Sequence, residues 1–93
     1  MTAHEDLLRD YRPAFLRHLS RQEESSLTAG YQLGRRALAD GRGLLEVVQV
    51  HHEVLVEVLR DSSADEAAGV ARSASAFLLE VLASYDMARR GPV

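Results

Sequence analysis

The sequence predicts an all-α fold: a small four-helix domain that dimerises into a larger helical bundle. Apolar residues recur at steps of three and four through four segments, and Gly or Ser/Asp clusters separate them. No segment shows the alternation of period two that marks a half-buried strand. Association follows from residues 43–60, GLLEVVQVHHEVLVEVLR. At ~100° per residue, Glu46, Gln49, Glu53, Glu57 and Arg60 fall on one narrow stripe. Leu44, Leu45, Val47, Val48, Val54, Leu55, Val56, Val58 and Leu59 cover most of the remaining circumference. A helix resting once on a core shows a single apolar stripe a little over ~100° wide. This one needs cover on two sides, and a chain of 93 residues is too small to provide both.

Three Ser/Thr-x-x-Glu boxes mark helix starts: Thr2 with Glu5, Ser20 with Glu23, and Ser63 with Glu66. In each, the hydroxyl accepts from the backbone N–H three residues on, and the carboxylate returns to the cap N–H. The first helix runs over residues 3–19 and buries Leu7, Leu8, Tyr11, Phe15 and Leu19. Pro13 cannot donate to the carbonyl of Arg9 and should kink it; the alternative is a short lead-in and a helix starting near Arg12. The second helix, residues 22–40, buries Leu27, Tyr31, Ala37 and Leu38, with Leu33 at the edge. Gly30 and Gly34 share that face. Glycine inside a helix costs roughly 0.5–1 kcal/mol relative to alanine, and close approach of a neighbouring helix would repay it. Gly41 and Gly43 supply the stop.

The third helix ends near Arg60, before the polar DSSAD turn. The fourth covers residues 64–90, with Ala71, Ala74, Leu78, Val81, Tyr85 and Ala88 stepping by three and four as a heptad seam. Arg89 and Arg90 suit the negative helix end, and Gly91 and Pro92 break it.

Composition excludes several functions. Hydrophobic residues, at 46%, are ample for a core, while the net charge of −3 leaves no cation excess for a nucleic-acid surface. Without cysteine there are no disulfides or thiolate metal sites, which fits a reducing compartment. The N-terminus lacks a signal pattern and no unbroken apolar run reaches ~18 residues. A cytoplasmic protein that engages no membrane is the expectation.

Catalytic and metal chemistry find no pattern. His51 has Val47, Val48, Val54 and Leu55 at the offsets where a helical metal site places its other ligands, and His52 has Val48, Gln49, Leu55 and Val56. His4 and His18 could join only through tertiary contact. Histidines hydrogen-bonded inside a bundle are the ordinary reading. His52-Glu53 is similar to the phosphoacceptor step of histidine-kinase dimerisation helices, but the proline that usually follows is missing and His52 lies in the apolar arc. Glu46, Glu53 and Glu57 read as a solvated helix face. No nucleophile–base pair or phosphate loop is present, so neither a cofactor nor a metal is expected.

Three segments, YQLGRRAL (31–38), VVQVHHEVLVEVL (47–59) and AFLLEVLASYDMA (76–88), resemble the N-terminal domain of RsbU-type phosphatases of bacterial stress signalling. The last carries the F-L-x-E-V-x-x-x-Y-x-M-A pattern in Phe77, Leu78, Glu80, Val81, Tyr85, Met87 and Ala88. Pro13 and the long polar RDSSADEAAG connection depart from that family. The resemblance implies a noncatalytic four-helix domain that forms a homodimer and docks a switch kinase of the RsbT type. That kinase would turn on a Ser/Thr phosphatase acting on an anti-anti-sigma factor; any phosphatase activity would lie in a C-terminal domain outside these residues.

The apolar arc places the homodimer contact on the first and third helices, through Leu8, Tyr11, Phe15, Leu44, Val48, His52, Leu55 and Leu59. The kinase-like partner is expected on a second surface. There Ala76, Leu79 and Ala83 lie off the heptad seam beside Arg72 and Asp86, and Thr28, Gln32 and Arg35 form a parallel stripe. An ordinary surface is the plain alternative for that patch. A stand-alone helical dimer that assembles or competes for the partner, and phosphotransfer through His52, are the other functions the residues allow.

Overall fold

The computed structural model describes residues 2–90. They form four helices: α1 (Ala3–Arg21), α2 (Glu24–Ala39), α3 (Leu44–Arg60) and α4 (Ala64–Arg90). α1 and α4 touch each other and both remaining helices, so α2 lies on one flank and α3 on the other. The molecule measures 45 × 31 × 19 Å. Its short dimension is about two helix layers at ~8–10 Å between axes, so every helix keeps an outward face.

The core is aromatic at its centre. Tyr11 and Phe15 of α1 meet Phe77 of α4 at 5.5 and 5.6 Å between ring centroids, both edge to face, the arrangement ring quadrupoles favour. Val47, Val50 and Val54 of α3, Leu33 and Ala37 of α2, and Ala74 and Val81 of α4 close round them. Two buried polar pairs are satisfied inside this core. The Tyr11 hydroxyl lies 2.7 Å from His51 Nδ1. Burial pushes the His51 ring down to about 4, so the neutral imidazole accepts through Nδ1 and the phenol donates. His18 Nδ1 lies 2.8 Å from Ser26 Oγ. Ser26 gives its one hydrogen to the Glu23 carbonyl at 2.6 Å, leaving His18 as the donor.

The glycines of α2 do what their cost suggested. A Cβ on Gly34 would overlap the Val81 carbonyl and the Ser84 hydroxyl, and one on Gly30 would come to 3.0 Å from the Phe77 ring. α4 therefore seats directly on the α2 backbone. This close approach centres the buried face on Gly30, Leu33, Gly34 and Ala37. Leu27, Tyr31 and Leu38, assigned to the core from sequence, become half-buried flanks. α4 turns likewise: its buried line is Ala74, Phe77, Val81 and Ser84, while Ala71 and Ala88 of the expected seam are exposed.

Helix ends follow two of the three boxes. Glu5 N–H donates to Thr2 Oγ1 at 3.1 Å. At Ser63 the box is reciprocal, with Ser63 N–H to Glu66 Oε1 at 2.8 Å and Glu66 N–H to Ser63 Oγ at 3.3 Å. Those bonds hold the Glu66 carboxyl below the usual carboxylate range. The Ser20 box does not form. α1 runs through it, Ser20 donates back to the Leu16 carbonyl at 3.1 Å, and Gln22 makes the turn in the left-handed region at φ 51°. α1 also continues through Pro13, whose side chain faces solvent, so a single helix replaces the lead-in alternative. At the end of α2, Gly41 (φ 78°) lets Arg42 N–H reach the Ala37 carbonyl at 2.9 Å. Gly43 instead stands at the N-cap of α3.

By length and apolarity alone α4 could cross a membrane. It packs one face on α2 and carries Arg72 and Glu80.

Candidate interaction surfaces

The acidic stripe of α3 is a seam between helices as well as a wetted face. Arg12 of α1 forks onto Glu57, with Nη2 and Nε at 2.7 and 3.0 Å from its two oxygens, a charge-assisted bidentate pair. That hydrogen bond holds the Glu57 carboxyl below its ordinary value. His4 reaches Glu53 at 3.0 Å and Glu46 at 4.0 Å. These contacts turn the polar side of α3 toward α1, and Val47, Val50, His51 and Val54 point into the core. The rest of the apolar circumference is left outside.

That outer stripe holds most of the residues expected at a dimer contact. Leu44, Val48, His52 and Leu59 are exposed and Leu55 is half-buried. Leu45, not on the expected contact, is 78% exposed. Leu8 of α1 lines an open groove with His52, Glu53, Val56, Glu57 and Arg60. Tyr11 and Phe15 require correction: both are 0% exposed and belong to the protomer's own core, because α4 brings Phe77 onto them. His52 is exposed on the protomer, which departs from the reading of a histidine hydrogen-bonded inside the bundle but fits a place on the expected dimer contact.

The second surface lies across α2 and α4. Leu79 is 69% exposed, diametrically opposite the buried line of its helix at ~100° per residue. Arg72 and Ala76 are exposed beside it, Ala83 is half-buried, and Asp86 is half-buried and paired with Arg89 (3.4 Å) and Arg90 (3.1 Å). Thr28, Gln32 and Arg35 are exposed on α2. The eight do not converge in one concavity. Arg35 alone lines the main groove between the two helices, about 610 Å³, with Tyr31, Leu38, Ala39, Ser84, Met87 and Ala88. Arg72 and Ala76 line another, with His18, Gln22, Gly69 and Ser73. Tyr31, Leu38 and Met87 were missed as surface residues. Their signal was the glycine pair, since a helix seated on glycine displaces its bulky neighbours to the groove edge.

Among the described residues no three His, Asp or Glu side chains gather as a metal site. Outward apolar surface with a charged rim is what these helices present, which is the composition of a protein contact. The family described as the N-terminal domain of phosphoserine phosphatase RsbU matches residues 9–88. The chain belongs to that family. No match was found among curated proteins or among solved structures. The RsbU N-terminal domain is the regulatory part of a partner-switching phosphatase rather than its catalytic part, which suits two exposed faces better than a buried cavity would.

Proposed function

We propose that this RsbU N-terminal domain is a noncatalytic, homodimeric docking platform that receives a switch-kinase-like protein in the cytoplasm and so controls an associated Ser/Thr phosphatase. The observation that carries the reading is the presence of two apolar surfaces on different sides of one thin domain. The α3 stripe, with Leu44, Leu45, Val48 and Leu59 exposed, suits a lasting contact with a second copy. The second surface is more mixed: Tyr31, Leu38 and Met87 share a groove with Arg35, and Leu79 stands on the outer face of α4 with Arg72 and Asp86. A small apolar centre within charged surroundings favours a contact that can be made and released.

The two roles separate experimentally. Leu79→Asp and Met87→Asp, in the full-length protein, should weaken binding of an RsbT-type kinase tenfold or more, about 1.4 kcal/mol or above. Sedimentation should find their self-association unchanged. Normal kinase binding by both folded variants would refute the docking surface.

A further inference from the structure

One outward line of α3, exposed at Leu45, Val48, His52 and Leu59 and half-buried at Val56, is arranged symmetrically about its midpoint. Leu45 and Val48 precede His52 by seven and four residues, and Val56 and Leu59 follow it by four and seven. Spacings of four and seven keep side chains on one helix face. A face with this symmetry is complementary to itself when two copies run antiparallel about a two-fold axis through its centre. Leu45 of one copy then meets Leu59 of the other, Val48 meets Val56, and His52 meets His52. The charges agree with that direction. The arrangement brings the Arg60 end of each helix to the Glu46 end of its mate and opposes the helix dipoles. A parallel pair would instead set Glu46 beside Glu46.

We propose that α3 pairs with α3 of a second copy, antiparallel, about a two-fold axis through His52, and that the facing histidines make this dimer weaken on acidification. The inference rests on the homodimer reading above and adds its direction, register and regulation. A single polar residue inside an apolar seam fixes register, because any slip leaves it facing hydrocarbon. Histidine adds a charge change between pH 5 and 8. Two cations facing each other in an apolar seam would both repel and lose hydration. The carboxylates beside His52 already have partners on α1. On α3 the charged groups are Glu53, Glu57 and Arg60, which line the grooves beside His52. From α1, His4 is bonded to Glu53 and Arg12 to Glu57. α4 contributes no charged side chain to either groove.

The chain has no cysteine, so single introduced thiols report the geometry. Under oxidising conditions His52→Cys should form a disulfide dimer on its own. Leu45→Cys and Leu59→Cys should each stay unlinked alone and link to one another when mixed. Self-linking of Leu45→Cys and Leu59→Cys would mean a parallel pair and overturn the proposal. The dissociation constant, followed by sedimentation, should rise about tenfold or more between about pH 7.5 and 5.5. His52→Leu should abolish most of that rise, and His4→Gln should keep most of it. An equal rise in wild type and His52→Leu would remove His52 from the effect and overturn its regulatory role. A wild-type chain that stays monomeric up to about 100 μM would overturn the homodimer reading as well. A dimer linked through other positions would overturn only the register proposed here.

Discussion

Tyr11 and His51 are a polar pair in the middle of an apolar core, each the other's only side-chain hydrogen-bond partner among the described residues. Tyr11→Phe would leave the His51 nitrogen unsatisfied, and should cost about 1–3 kcal/mol in urea unfolding. His51 also links stability to pH. Its ring is lowered from 6.5 to about 4 in the fold, first by burial and then by the neighbouring His52. A depressed histidine favours the native state when neutral, so this contribution is complete above about pH 6.5. It is lost as pH falls toward 4, because the unfolded chain binds the proton first. Urea unfolding should show a loss on the order of 3 kcal/mol across that window, and NMR should find the ring neutral almost to its lower limit. The glycines make a graded test. Gly34→Ala meets the Val81 backbone, which cannot yield, and should destabilise by about 1–3 kcal/mol. Gly30→Ala meets a ring that can shift and should cost less. Gly69→Ala meets nothing within 4 Å and should stabilise by about 0.5–1 kcal/mol.

At the scale of the helix, Pro13 and the serine boxes separate local rules from tertiary ones. Pro13 is exposed within a continuous α1, so the Arg9 carbonyl it frees can bind water. Pro13→Ala should restore the bond and raise stability by about 1–3 kcal/mol, measured as a higher urea midpoint. Ser63→Ala should cost about 1 kcal/mol, whereas Ser20→Ala should cost almost nothing, because Ser20 lies inside α1 and caps nothing. Both serines begin the same four-residue pattern. What distinguishes them is whether the chain turns there, and the turn is made by Gln22, which no local rule singled out. The four helices were legible because periodicity and the glycine stop are local. Which residue sits at the centre of each face was not. Phe77 rather than Leu78 fills the core, because the Gly30–Gly34 contact rotates α4 against α2, and that rotation exists only when both helices are present.

For the whole molecule, the same limit explains the interaction surfaces. The width of the α3 arc was legible and correctly left apolar residues outside, but it could not say which side α1 would claim. Tyr11 and Phe15 therefore went to the wrong surface, while Leu45 was overlooked. Leu45→Glu should alter protomer stability by no more than about 0.5 kcal/mol, since the side chain is 78% exposed. In the proposed dimer it should nevertheless abolish self-association, read by sedimentation at matched concentration. The Gly34 contact has a mechanical consequence of its own. With the Gly34 backbone against the Val81 carbonyl, and only the short Ser84 hydroxyl beside it, there is little there to flex, so a tilt of α2 is expected to carry α4 with it about Val81. The nine steps from Val81 to Arg90 make an arm about 13 Å long at 1.5 Å per residue. Tilting α2 by about 10° would then sweep the last turn of α4 through about 2 Å on the same helical geometry, a stroke comparable to the helix shifts by which other proteins change state.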